Sequence, residues 1–301
     1  MKLKERWLTR RGFFGATGLA CVSSVQIGAA DSIEGHPKNK RLFELGTVTY
    51  NLGRSWNLEQ LIRNCEEADF KGVELRTTHQ HGVEPAISDR KRTEVRRRFE
   101  QTSVRLVALG TACEYHSPDQ DEVRRQIDLT GRFLELAADV GAQGIKVRPN
   151  GIPEDIPEET TLKQIGRSLA EVGEISAKHQ VEVWVEVHGR RSSHPPRIKK
   201  MMDHCGHPMV GITWNCNETD LKDGKVEPYF ELLKSHVRNV HINRLTSGYP
   251  YRELFALLRR IGYAGYTLSE IPEVKGDPIR FMHYYRALWD ELSRAPNCYL
   301  T

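Results

Sequence analysis

Val181-Glu182-Val183-Trp184-Val185-Glu186-Val187-His188-Gly189 decides how this chain of 301 residues is read. Valine occupies every second position from 181 to 187. A strand sends alternate side chains to opposite faces, so the four valines share one face, and that face needs an apolar cover. The other face carries Glu182, Trp184, Glu186 and His188 before Gly189 ends the run. One long helical pattern precedes the strand and another follows it. In a closed barrel of strand–helix units the valine face packs on helices and the opposite face looks inward. Chemistry is then done at the C-terminal end of the inner face, where Glu186 and His188 lie. A half-buried strand with one wet face would show the same alternation. Its recurrence on the other strands favours the barrel.

Outward from this stretch, short β-rich runs alternate with longer amphipathic ones. The remaining strands are expected at 43–50, 72–77, 105–111, 144–148, 210–215, 237–243 and 266–270. Helices are expected near 57–69, 89–102, 121–140, 157–179, 196–205, 226–235, 251–261 and 278–293. Gly72, Gly141 and Gly265 follow helical patterns and suit helix C-caps. Eight such units in about 250 residues predict an α/β fold, a single-domain (β/α)8 barrel over residues 43–294. A doubly wound open sheet usually has fewer strands, and no glycine-rich phosphate turn follows the first strand here.

The valine rule then sorts the other strands. Strand 2 turns Glu74 and Arg76 inward, and strand 4 turns Lys146 and Arg148 inward. Strand 6 delivers Asn215 and Asn217, strand 7 His241 and Asn243, and strand 8 Glu270. Glu114 and His116 follow the end of strand 3. So many polar groups pointed into a barrel would carry a heavy desolvation cost without a purpose. Collected at one end, they define a pocket. Its candidate substrate contacts are Glu74, Arg76, Glu114, His116, Lys146, Arg148, His188, Asn217 and Asn243. Lys146, Arg148 and His188 can orient hydroxyls or stabilise an oxyanion. Salt bridges to Glu74 or Glu114 are the alternative role for these cations. Glu186, His241 and Glu270 offer oxygen and nitrogen ligands for a divalent ion. Spacing alone leaves a metal-free Glu–His network equally open, because the residues come from separate strands.

The motifs Trp184–Gly189, Gly211-Ile212-Thr213-Trp214-Asn215, Asn239-Val240-His241-Ile242-Asn243 and Tyr266-Thr267-Leu268-Ser269-Glu270 resemble the strand ends of the xylose isomerase-like barrels, the sugar phosphate isomerase/epimerase group. The resemblance covers about residues 43–294. It implies one divalent ion, manganese first and magnesium, cobalt or zinc as alternatives, held by Glu186, Asn215, His241 and Glu270. Asn215 stands where the family usually carries aspartate, which removes one negative charge and should weaken metal binding. The histidine that usually follows closely is also missing from Asn215-Cys216-Asn217-Glu218. The chemistry implied is isomerisation or epimerisation of a sugar or keto-sugar, with Glu186 and Glu270 carrying protons on opposite faces. A lyase that expels a β-substituent from a 3-keto-glycoside would use the same site. A non-catalytic sugar-binding barrel is the third reading. The related endonuclease branch needs a richer cluster of metal ligands.

Residues 1–30 are read as a leader. Thr9-Arg10-Arg11-Gly12-Phe13-Phe14 resembles the twin-arginine export motif, and a moderately apolar segment reaches about Val25. Gly28-Ala29-Ala30 offers small residues for cleavage. The expected partners are therefore the twin-arginine export machinery and a small carbohydrate, and the expected compartment is the periplasm. Gly18-Leu19-Ala20-Cys21 is a poor lipoprotein box, so lipid anchoring is the lesser expectation. Export favours the lyase over an isomerase of phosphorylated sugars, which are intracellular. Residues 31–42 read as a lead-in and 295–301 as a tail. The net charge of +4 is small for this length and does not suggest nucleic-acid binding. The basic run Arg90–Arg98 reads as a solvated helix face. Outside the leader, Cys65, Cys113, Cys205, Cys216 and Cys298 show no paired spacing, so neither a disulfide framework nor a thiolate metal site is expected. A homo-oligomer is compatible with all of this.

Overall fold

Eight parallel strands pair in chain order, and the last closes on the first, through Glu44↔Tyr266 and Leu45↔Thr267. This is the arrangement in the computed structural model, which describes residues 42–294. The strands are β1 (Glu44–Val48), β2 (Gly72–Arg76), β3 (Arg105–Glu114), β4 (Gly144–Arg148), β5 (Glu182–Glu186), β6 (Val210–Trp214), β7 (Val237–Ile242) and β8 (Tyr266–Ser269). The helices are α1 (Leu58–Glu67), α2 (Asp89–Glu100), α3 (Gln120–Val140), α4 (Glu158–His179), α5 (Pro195–Cys205), α6 (Glu227–Leu233), α7 (Tyr251–Arg260) and α8 (Pro278–Ser293). Each strand is followed by its helix, so the expected (β/α)8 barrel is the fold. The leader, nearly all of the lead-in and the tail lie outside the described residues.

Local chemistry explains the boundaries. Asn57 and Gln60 form a reciprocal capping box at the start of α1, and Ser88 and Asp119 cap α2 and α3. Of the three expected C-cap glycines only Gly141 is one, at φ 80°. Gly72 instead opens β2, and Gly265 precedes β8. The left-handed glycine after α7 is Gly262. The reason is that a glycine near a helix end can equally serve the next strand. The basic run of α2 is tied to acids: Lys91 and Arg98 pair with Glu94, and Arg92 reaches Glu135 and Asp139 on α3.

Val181, Val183, Val185 and Val187 all pack in the large core between the sheet and the helices. Trp184 belongs to a separate cluster inside the barrel with Val48, Val107, Ala108 and Leu268. Its indole stands where a side chain on Gly144 would lie, since an added Cβ there would come within 2.7 Å of the ring. An irregularity in the β2–β3 register, which passes from Val73↔Leu106 to Glu74↔Ala108, puts both Val107 and Ala108 into this inner cluster. The apolar plug closes the lower barrel, so the charged strand ends sit above it. Cys65, Cys113, Cys205 and Cys216 are free and buried. Among the described residues no helix is long and apolar enough to cross a membrane.

Candidate active site

β5 ends in Glu186, β7 carries His241, and Glu270 follows β8, its N–H donating to the carbonyl of Ile242 at 2.9 Å. These three residues come together. Each turns one ligand atom to the others, and all three atoms lie within 4.8 Å of one another. Asn215 follows β6, so the four residues occupy consecutive strands of one side of the barrel. Asn215 Oδ1 and His241 Nδ1 are both buried without a hydrogen-bond partner among the described residues. Unsatisfied buried polar atoms carry a cost of about 1–3 kcal/mol each. Two carboxylates, an imidazole nitrogen and an amide oxygen form a donor set that fits a hard or borderline divalent ion.

Glu74 sits beneath this group rather than in the pocket. It is fully buried, and its Oε2 lies 2.9 Å from His241 Nε2. Its other oxygen lies against Gly110 of β3, where an added Cβ would approach it to 2.6 Å. A carboxylate on the far nitrogen of a ligating histidine fixes its tautomer and ring orientation. Glu74 was expected to touch substrate; its geometry is that of a support for His241. Burial by itself would lower the His241 pKa, but Glu74 and Glu186 outweigh it and raise it to about 10. Burial would raise Glu186, and the Lys146 ammonium and His241 reverse this, holding it well below the ordinary carboxylate range. Glu270 moves the other way, raised by burial and by the neighbouring Glu186. Two carboxylates whose affinities for a proton are pushed apart can take different roles.

Above the group opens a cavity of about 770 Å³. Glu186, Glu270, Lys146, Arg148, His188 and Asn243 line it, as does Arg76. The guanidinium of Arg76 stands 4.9 Å from the centre of the Tyr50 ring. Arg148 is paired with Glu114 at 2.5 Å, the structural alternative anticipated for it. Lys146 pairs with neither Glu74 nor Glu114 but with Glu186. Glu114 and His116 do not line the cavity: Glu114 accepts from Arg148 and Asn150, and His116 lies 3.7 Å from Glu114. Asn217 borders a shallower neighbouring depression and donates to the carbonyl of Val187. Tyr50, Cys216, Arg244 and Tyr249 line the cavity without having been anticipated. The alternation of β1 could have found Tyr50, which shares the inner face with Val48. Arg244 and Tyr249 lie on a loop, where no periodicity operates.

The loops at this end hold unusual backbone. Thr78, Asn150 and Cys216 have positive φ, at 65°, 51° and 53°, each two residues past an even-numbered strand. Such strain concentrates at functional sites. After Cys216 the chain turns through Asp220, which is buried and accepts from the Asn217 N–H at 2.8 Å. Burial pushes its carboxyl from 3.8 up to about 8. Between those pH values the unfolded chain gives up a proton that the folded chain keeps, so stability falls as pH rises through the window and levels off above it. Asp220→Asn should keep the accepted hydrogen bond and flatten that fall. Thermal melts between pH 4 and 9 measure it, and an unchanged slope would show that Asp220 is ionised in the fold.

The fold and the cluster define a (β/α)8 barrel with a carboxylate–imidazole centre at the C-terminal mouth. The chain belongs to the family described as xylose isomerase-like TIM barrel, which matches residues 62–286. Solved structures share the fold at low identity. An L-ribulose 3-epimerase is 14% identical, with 83% of this chain and 94% of that one covered and a TM-score of 0.72. The apo 3-keto-D-glucoside 4-epimerase of E. coli is 17% identical, with coverages of 83% and 98% and a TM-score of 0.68. An IolI protein with a bound zinc atom is 14% identical, with coverages of 83% and 98% and a TM-score of 0.69. No curated protein matches the chain by sequence.

Proposed function

We propose that the chain is a divalent-metal-dependent isomerase or epimerase of a sugar or keto-sugar, acting by proton transfer next to a carbonyl. The observation that carries this reading is the convergence of Glu186, His241 and Glu270 at the base of an open, polar cavity, with unsatisfied atoms on His241 and Asn215. Glu186, Asn215, His241 and Glu270 would hold the ion. When bound, it supplies a Lewis acid that polarises the carbonyl and stabilises the charge that develops on its oxygen. Glu270 takes the proton from the neighbouring carbon. Glu186 approaches from β5 while Glu270 approaches from β8, and delivery from the second side inverts the centre. His188 and Arg148 reach the same cavity and orient hydroxyls. Names of the structural relatives, an L-ribulose 3-epimerase and a 3-keto-D-glucoside 4-epimerase, suggest ketoses and 3-keto-glycosides as the first substrates to try.

The test is a panel of both classes in heavy water, with metal content measured by elemental analysis. An isomerase or epimerase places solvent deuterium on the carbon beside the carbonyl, and the protein holds about one divalent ion per chain. Release of an aglycone instead identifies the lyase variant of the same chemistry. Sugars that bind without either product would leave a binding barrel, and full activity without metal would end the metal-dependent reading.

A further inference from the structure

The Lys146 ammonium lies 2.8 Å from Glu186 Oε2, and each side chain is only 4% exposed. The other oxygen of Glu186 faces His241 Nδ1 at 3.6 Å. Glu186 therefore already has a cation on one oxygen, inside the cluster that would receive the metal. The register explains the reach. Lys146 is level with Trp184 of β5, two residues before Glu186, on the neighbouring strand. Lys146 is among the residues that line the cavity, so its side chain can leave Glu186 without unfolding the strand.

The charges point the same way. Glu186 and Glu270 carry the only two carboxylates of the four-residue donor set, because position 215 is an amide. With Lys146 counted and the His241 ring neutral, as ligation requires, that set presents one net negative charge to a doubly charged ion. Like charges in a low-dielectric site repel strongly. An oxygen that is hydrogen-bonded to an ammonium must be released before it can ligate, so an ion that takes Glu186 through Oε2 as well as through Oε1, the oxygen facing His241, has to displace Lys146.

We propose that Lys146 is the resident cation of this site, and that a divalent metal binds by exchange, displacing the ammonium from Glu186. This rests on the metal reading above. The exchange makes metal binding weaker than the donor set alone would give, and it frees an ammonium into the cavity where substrate oxygens arrive.

The experiment compares metal-stripped wild-type protein with Lys146→Met, Lys146→Gln and Lys146→Arg at one pH, titrated calorimetrically with manganese and with zinc. Exchange predicts that the Met and Gln variants bind about 10–100-fold more tightly, the usual size of an outer partner's effect on a ligand. Arg keeps the charge, so its affinity stays near wild type. In thermal melts, the same excess of metal should raise the midpoint further in the Gln variant than in wild type, since binding to the folded state alone stabilises it by an amount that grows with the logarithm of affinity. The Gln variant carries the comparison if the Met variant does not fold. If wild type binds metal and both neutral variants bind equally or more weakly, Lys146 positions Glu186 and the exchange is wrong. If Arg tightens binding as much as Gln, the effect is one of space and the proposal fails. If none of the four proteins binds either ion, exchange falls together with the metal reading.

Discussion

Glu270→Gln is expected to lower kcat by about 10²–10⁴-fold on any sugar the wild type turns over, with the melting curve little changed. Glutamine keeps the shape and one oxygen of the side chain but cannot take up a proton. It also withdraws one of only two carboxylates from the donor set, so a metal defect adds to the loss. Glu270 is the better target of the two glutamates because Glu186 is tied to Lys146 and His241, whereas Glu270 has no ion pair within 4.0 Å among the described residues. Changing Glu186 would strand Lys146, so a loss of rate there could be a loss of packing. Rates and unfolding are measured on the same preparation. A variant with wild-type turnover would remove Glu270 from the mechanism.

The second large effect is expected at Glu74. Truncation to Ala leaves His241 buried beside Glu186 with its Nε2 side unpaired, and breaking a buried pair in this way costs about 3–5 kcal/mol. Denaturant unfolding of metal-stripped protein reads this directly. Metal affinity should fall about 10–100-fold as well, because the ring loses the partner that orients it. Glu74→Gln, which can still meet His241 Nε2, should lose less stability than Ala. If the Ala variant unfolds at the wild-type midpoint, the Glu74–His241 contact of 2.9 Å is not supporting the fold.

The barrel was legible because its cause is local. Strand side chains alternate with period two, so four valines at 181–187 mark one face and oblige Trp184 and Glu186 to take the other. The same rule, applied strand by strand, brought Glu186, His241 and Glu270 to one end, and the structure places them together. Glycine did not obey so simple a rule. Gly72 and Gly141 look alike in sequence, yet one opens a strand and the other caps a helix, because the neighbouring strand decides which is needed.

The sequence by itself determined the eight units, the inward face of six of the strands, and many of the residue types delivered to the mouth. Only the tertiary structure decided who meets whom there. Lys146 and Glu186 are 40 residues apart, and Glu74 and His241 are 167 apart. Which cation takes which carboxylate depends on strand register, on closure of β8 against β1 and on the space left by Gly110, and none of these leaves a periodic trace. Alternation selects a face, but height along the barrel axis and distance across it arise from pairing the strands, and hydrogen bonds and charge pairs act only over those distances.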